Sequence, residues 1–164
     1  MKCLNAVAIF NQDNIKGTIV FHQCAKKPGV NVFINLYNLE PNRIRAIHIH
    51  EYGDSRDGCK SLGAHWNPND KTHGTIWVGG MKRHAGDLIN NLKPDSSGVF
   101  NYEYHDPLLN LRGDIDESII GRSVVIHDGI DDLGLGGNKE SLKTGNAGAR
   151  LACAIIGRAK DGND

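Results

Sequence analysis

The strongest constraint on the fold is the stretch at 30–36. Val30, Val32, Ile34 and Leu36 alternate with Asn31, Phe33 and Asn35. A period of two is that of a strand with one face in a core and the other mostly wet. Further strands are expected at 6–10, 16–22, 43–50, 84–92, 99–104, 118–127 and 150–157, with room for a short stretch at 108–112. Turn chemistry separates them: Asn11-Gln12-Asp13-Asn14, Lys26-Lys27-Pro28-Gly29, Pro41-Asn42 and Lys93 through Gly98. No segment carries a helix of ordinary length, and only a single helical turn is expected near 138–143. About eight short strands without helical crossovers predict an all-β fold, an eight-stranded antiparallel Greek-key barrel or immunoglobulin-like sandwich, and argue against α/β. Residues 1–157 are read as one domain and 158–164 as a short polar tail.

With 19 basic and 19 acidic residues the formal net charge is zero, which recommends neither nucleic acid nor a membrane surface as a partner. The N-terminal apolar run is too short and interrupted for a signal peptide, and nothing approaches membrane-spanning length, so the expected location is cytoplasmic. Cys3, Cys24, Cys59 and Cys153 contain no CxxC pair, and on their own each reads as a free thiol.

Two segments, 51–83 and 128–149, lack periodicity and are rich in Gly, Asn and Asp. Loops this long in a compact domain are disordered or functional, and the histidines favour function. His48 and His50, two apart in a strand, project from one face, leaving Ile47 and Ile49 for the other. His65, His73, His84 and Asp87 offer three imidazoles and a carboxylate within 23 positions, a ligand set suited to a closed zinc site, and imidazole also suits copper. His127 comes from a later strand. His22 and His105 read as ordinary hydrogen-bonded or solvated side chains. Spacing alone does not say which metals bind, nor whether two sites share a ligand.

The motifs HIHEYGD (48–54), GCKSLGAHWNP (58–68), RHAGDL (83–88), GRSVVIHD (121–128), DDLGLGGN (131–138) and KTGNAGARLAC (143–153) occur in an order that resembles the copper/zinc superoxide dismutases of the eukaryotic cytosolic type. The resemblance runs from about residue 6 to 157. It implies copper on His48, His50, His65 and His127 and zinc on His65, His73, His84 and Asp87, one of each metal per subunit, with His65 as bridge. It implies that Asp131 links His48 to His73, and that Cys59 and Cys153 form a disulfide. Cys3 and Cys24 stay free thiols in this reading. The implied reaction turns two superoxide anions and two protons into dioxygen and hydrogen peroxide by Cu(II)/Cu(I) cycling. His65 would hand on a proton and Arg150 would attract the anion. Lys143 and Thr144 match the channel rim. Lys139-Glu140 stands where an acidic pair is common, so steering is expected to differ.

Other departures lie off the ligands. The segment Gly74 to Arg83 is longer and more apolar than usual and reads as a loop packing Trp77 locally, the alternative being a partner patch or a reshaped zinc loop. Arg45 alters the approach to the copper strand. The resemblance further implies a homodimer through Tyr52, Gly53, Ile120 and Gly121, provided that Arg158 reaches the rim of that contact, and a copper donor protein. The alternative function is a copper-handling or copper-chaperone-like protein of the same fold without major dismutase activity, which would predict missing ligands or no Arg150 equivalent.

Overall fold

The computed structural model describes residues 3–12, 14–24, 27–78 and 81–160. Asp13 and Lys26 of the two expected turns, Gly79-Gly80 of the long segment and Asp161 to Asp164 of the tail lie outside the described residues. Eight strands follow in chain order: β1 (Leu4–Gln12), β2 (Ile15–Gln23), β3 (Val30–Tyr37), β4 (Arg45–His50), β5 (Asn90–Leu92), β6 (Phe100–Asp106), β7 (Ser123–His127) and β8 (Arg150–Arg158). Their spatial order is β5-β4-β7-β8-β1-β2-β3-β6, and every pairing is antiparallel. Strand β8 pairs with both β7 and β1 and joins the two halves of a nearly closed barrel. Among the described residues the single α-helix, α1 (Ser141–Thr144), is one turn long.

Alternation in β3 is complete: Val30, Val32, Ile34 and Leu36 are buried and their neighbours exposed. They meet Phe10, Ile19, Phe21, Ile47, Ile49, Val124 and Ile126 in one continuous core, each such side chain contributing about 1.5–3 kcal/mol of burial. In β4 and β7 every residue is buried. Their inner faces (Ile47, Ile49, Val124, Ile126) belong to the core, and their outer faces carry His48, His50, Val125 and His127 under the loop after β4.

That loop is docked by its backbone. Tyr52 N–H donates to Leu62 O, Glu51 N–H to Ala64 O and Trp66 N–H to Ile49 O, at 2.9, 3.0 and 2.9 Å, so residues 62–66 extend the sheet beside the end of β4. Leu62 forms a small second core with Val125 and Cys153, and a Cys59–Cys153 disulfide closes it. With a sequence separation of 94 between its cysteines, such a bridge is worth on the order of 4 kcal/mol on the chain-entropy model. Trp66 enters the main core, with the Arg122 guanidinium 4.8 Å from its ring centroid.

Several expectations are corrected. Residues 84–92 are not one strand: a 3₁₀ turn, Ala85–Asp87, precedes β5, and Leu88 between them takes φ of 47°, which breaks extended backbone. Residues 118–122 form a turn before β7, with Gly121 at φ 87° and Arg122 N–H bonded to Ile119 O. Residues 108–112 form no strand. Cys3 and Cys24 are not free thiols but a disulfide. The β1–β2 ladder pairs Leu4 with Gln23, and one step further out places the two cysteines opposite each other. Trp77 is 60% exposed, at the edge of a shallow groove with Ile89, Phe100, Tyr102 and Leu133. It touches the barrel surface without being packed away.

Candidate metal centre

Two donor sets meet in the space between the β4–β7 outer face and the loop. The donor atoms of His48, His50, His65 and His127 lie within 4.8 Å of one another, as do those of His65, His73, His84 and Asp87, and all seven residues are buried. Strands supply His48, His50 and His127. The docked loop supplies His65, and the 3₁₀ turn presents His84 and Asp87. Gly86 permits that turn, because a Cβ there would stand 2.4 Å from Ile49 O.

Hydrogen bonds fix the ring orientations. His48 Nε2–H donates to Asp131 Oδ2 at 2.6 Å, His50 Nδ1–H to Gly63 O at 3.0 Å, and His127 Nδ1–H to Gly148 O at 3.2 Å. Each leaves its other nitrogen as a lone pair. His50 Nε2 and His127 Nε2 then stand only 3.2 Å apart, two acceptors facing each other. His48 Nδ1 and His65 Nε2, also buried, have no hydrogen-bond partner, a condition costing about 1–3 kcal/mol per group. Convergent unpaired imidazole nitrogens of this kind suit a cation such as copper.

The second set is organised by a carboxylate. Asp87 Oδ1 lies 3.2, 2.8 and 3.1 Å from the Nδ1 atoms of His65, His73 and His84, and the His84 contact lacks hydrogen-bond geometry, leaving that nitrogen unpaired. Asp87 Oδ2 accepts from the backbone N–H groups of Gly74 and His84, both at 3.0 Å. Three nitrogens around one carboxylate oxygen suit tetrahedral zinc. Asp131 ties the sets together, accepting from His48 and, through Oδ1, from His73 Nε2–H at 2.8 Å.

The electrostatics of the two sets differ. Burial, with His65 nearby, pushes His50 down to about 2, and burial pushes His127 down to about 4 and His48 well below the ordinary imidazole value. Burial also lowers His65, against the pull of Asp87. These rings are neutral, as ligands must be. Burial would lower His73 too, but hydrogen bonds to Asp131 and Asp87 at both ring nitrogens outweigh it and raise the group to about 9. Burial opposes ionisation of Asp87 and Asp131, and their imidazole partners overcome it, holding both well below the carboxylate range.

A cleft of about 860 Å³ opens onto His50, His65 and His127. Arg150 stands in its wall. Its guanidinium donates to Cys59 O at 2.6 Å, to Lys60 O at 3.2 Å and to Gly63 O. Glu140, Lys143 and Thr144 line the mouth, whereas Lys139 does not. The mouth also carries Asn67, Lys71 and Asn146, which the sequence reading did not single out. It also missed Asn90 and Asn91, which hold Asp131: Asn90 Nδ2 donates to Oδ2 at 3.1 Å, and Asn91 exchanges two bonds with the Asp131 backbone, at 2.9 Å each. Arg83 was missed as well. It is fully buried, bonded to Asp106 at 2.6 Å and to the carbonyls of His84 and Ala85. Its one available signal is its place immediately before His84. Arg45, 6% exposed, clamps Glu40 and Asp128 beside His127. His22 and His105 are hydrogen-bonded away from the cluster, to Asn5 and Asn31. Tyr52, 57% exposed, Gly53, Ile120 and Gly121 lie together on the surface near Ile155.

Comparison with known proteins agrees with this geometry. The family model described as copper/zinc superoxide dismutase matches residues 15–156. A superoxide dismutase [Cu-Zn] of Yarrowia lipolytica is 47% identical over 155 residues, 94% of this chain and 97% of the relative. One of Paramecium bursaria Chlorella virus 1 is 44% identical over 160 residues, covering 98% and 81%. Among solved structures, the clock protein EA4 superposes with a TM-score of 0.86 at 37% identity, covering 94% of each chain. The chain belongs to the copper/zinc superoxide dismutase family.

Proposed function

We propose that this chain dismutes superoxide, giving dioxygen and hydrogen peroxide, with copper held by His48, His50, His65 and His127 and zinc by His65, His73, His84 and Asp87. Bound copper supplies one-electron chemistry in both directions, and redox-inert zinc supplies fixed positive charge. The observation that carries the reading is His65, whose Nδ1 faces Asp87 while its buried Nε2 has no hydrogen-bond partner. Sharing the ring between two cations requires loss of its N–H proton. When Nε2 is not ligating, His65 takes up a proton there, on the cleft side, and passes it to the product; on ligating again it gives up any proton it holds there. Asp131 sets the orientation of His48 and His73 by accepting from both, the kind of support worth about 10–100-fold in affinity or activity.

Arg150 draws the anion to the cleft. Three backbone carbonyls hold its guanidinium in place, which spares it the ordering cost of a free side chain. Lys143 and Thr144 steer at the mouth. Glu140 excludes wrong approaches, and Lys139 strengthens the positive field from outside the lining. Residues 1–157 act as one functional domain. The protein works as a homodimer through Tyr52, Gly53, Ile120 and Gly121, a reading supported by their lying together on the surface with Tyr52 exposed, and one that requires Arg158 at the rim, since a guanidinium buried unpaired would be costly. A cytoplasmic location and loading by a copper donor protein complete the proposal, on the resemblance to the eukaryotic cytosolic type. Among the described residues no helix is long and apolar enough to cross a membrane.

Superoxide decay followed by stopped flow on the copper- and zinc-loaded protein tests the reading. The loaded chain should remove superoxide far faster than the metal-free chain. His127→Ala should fall to the metal-free background, and Arg150→Ala should keep both metals with reduced and less salt-sensitive rates. A fully loaded wild type no faster than the metal-free chain would sink it.

A further inference from the structure

A third cluster of metal-ligating side chains stands away from the two sets above. The donor atoms of Cys3, His22 and Cys24 lie within 4.8 Å of one another, and all three residues are partly exposed. His22 Nδ1–H donates to Asn5 Oδ1 at 2.7 Å, and its Nε2 stands 3.1 Å from Cys24 Sγ. That bond fixes the tautomer and aims the Nε2 lone pair at the sulfurs. An imidazole held by its other nitrogen is the arrangement that metal-ligating histidines adopt.

The position rules out a part in the catalytic cleft. Arg150 pairs with His127 at one end of β8, and Arg158 pairs with Ala6 at the other. Ala159 N–H donates to Asn5 O there. Eight residue steps at about 3.3 Å put the cluster's end of β8 roughly 25 Å from Arg150. The cysteines are disulfide-bonded, and their partial exposure leaves the bond open to a small reductant.

We propose that Cys3, Cys24 and His22 form a redox-gated site for monovalent copper, closed while the disulfide stands and opened when it is reduced. A dithiol opens it by thiol–disulfide exchange: the S–S bond breaks, both protein sulfurs end as thiols, and the dithiol leaves as its own disulfide. A phosphine does the same with water, leaving as its oxide while the two water protons go to the sulfurs. Cu(I) then replaces the two thiol protons and takes His22 Nε2 as third ligand, without changing oxidation state. Two thiolates and one imidazole form a soft set of low coordination number. That choice favours Cu(I) over zinc, which would want a fourth ligand.

The test uses the protein already loaded with copper and zinc, treated with tris(2-carboxyethyl)phosphine and titrated anaerobically with Cu(I) against a competing chelator. Native mass spectrometry counts the metal, and copper X-ray absorption reports its ligands. Wild type and Cys3→Ser/Cys24→Ser receive the same treatment, so reduction of Cys59–Cys153 cancels between them. The reduced wild type should hold one copper more per chain than the double variant, with two sulfur neighbours and one nitrogen. His22→Ala should weaken that copper at least about tenfold, and Asn5→Ala about tenfold through loss of ring positioning. Equal copper in reduced wild type and the double variant, or sulfur-bound copper persisting in the variant, would overturn the proposal. Wild type left unreduced, which shares the sequence of the reduced sample, should hold no such copper; equal copper in reduced and unreduced wild type would also overturn the proposal, whatever the variant's folding.

Discussion

The two donor sets share His65 and differ in nearly everything else. The four-histidine set is mounted mainly on β4 and β7, inside a ladder pairing His48 with Val125 and His50 with Ser123. Its rings are neutral because burial makes charge costly. The set around Asp87 is mounted on loop and turn, and its order comes from polar bonds: two backbone donors to Asp87, two carboxylates on His73, and buried Arg83 beneath His84. A sheet positions ligands by register and needs little further support. A loop must be fastened atom by atom, so disruption should travel outward from the loop set and hardly from the strands.

Breaking the fastening should give the largest effect. Arg83→Leu leaves Asp106 buried without its partner, and thermal unfolding should report a loss of about 3–5 kcal/mol, with zinc retention falling before copper retention. Asp131→Asn should weaken zinc binding about 10–100-fold in competition with a chelator, because His73 on its loop loses a carboxylate acceptor, and copper binding less, because the β4–β7 register still holds His48. A similar loss for both metals, or for neither, would contradict the contrast between the sets.

Protons sharpen the comparison. In the metal-free protein His73, raised to about 9, is protonated at neutral pH and must give up that proton to zinc. Apparent zinc affinity should therefore rise with pH below about 9, by about tenfold per unit for one proton. Calorimetry in buffers of different ionisation heat should count at least one proton released per zinc near pH 7. The lowered His50 and His127 are already neutral there and should add none on copper binding. The smallest effect is expected at Trp77→Ser, where exposure of the ring should keep the stability change within about 0.5 kcal/mol in denaturant melts.

Legibility followed the same division. Alternation in 30–36 predicted β3 residue by residue, since one face is core and the other water. The all-buried β4 and β7 showed only that they were strands, because alternation vanishes when both faces are covered. At 84–92 the apolar residues suggested a strand, but winding His84 and Asp87 around a ligand position needs a 3₁₀ turn and left-handed backbone at Leu88, which composition does not reveal. The first-set histidines in strands were readable from spacing, while Asp131 and the Cys59–Cys153 pair needed the family resemblance. Cys3–Cys24 was overlooked although a hairpin register counted back from the turn after Gln12 places those two residues opposite each other. Arg83, Asn90 and Asn91 were invisible for a different reason: their partners are fixed only by the folded chain.

The claim on which both sets depend is that one imidazole serves two cations. A structure of the copper- and zinc-loaded protein, with anomalous data collected at both metal edges, tests it most directly. The account predicts zinc at His65 Nδ1 beside Asp87, His73 and His84, and oxidised copper at His65 Nε2 beside His48, His50 and His127. Either metal bound without His65, or both peaks on the same side of its ring, would contradict it.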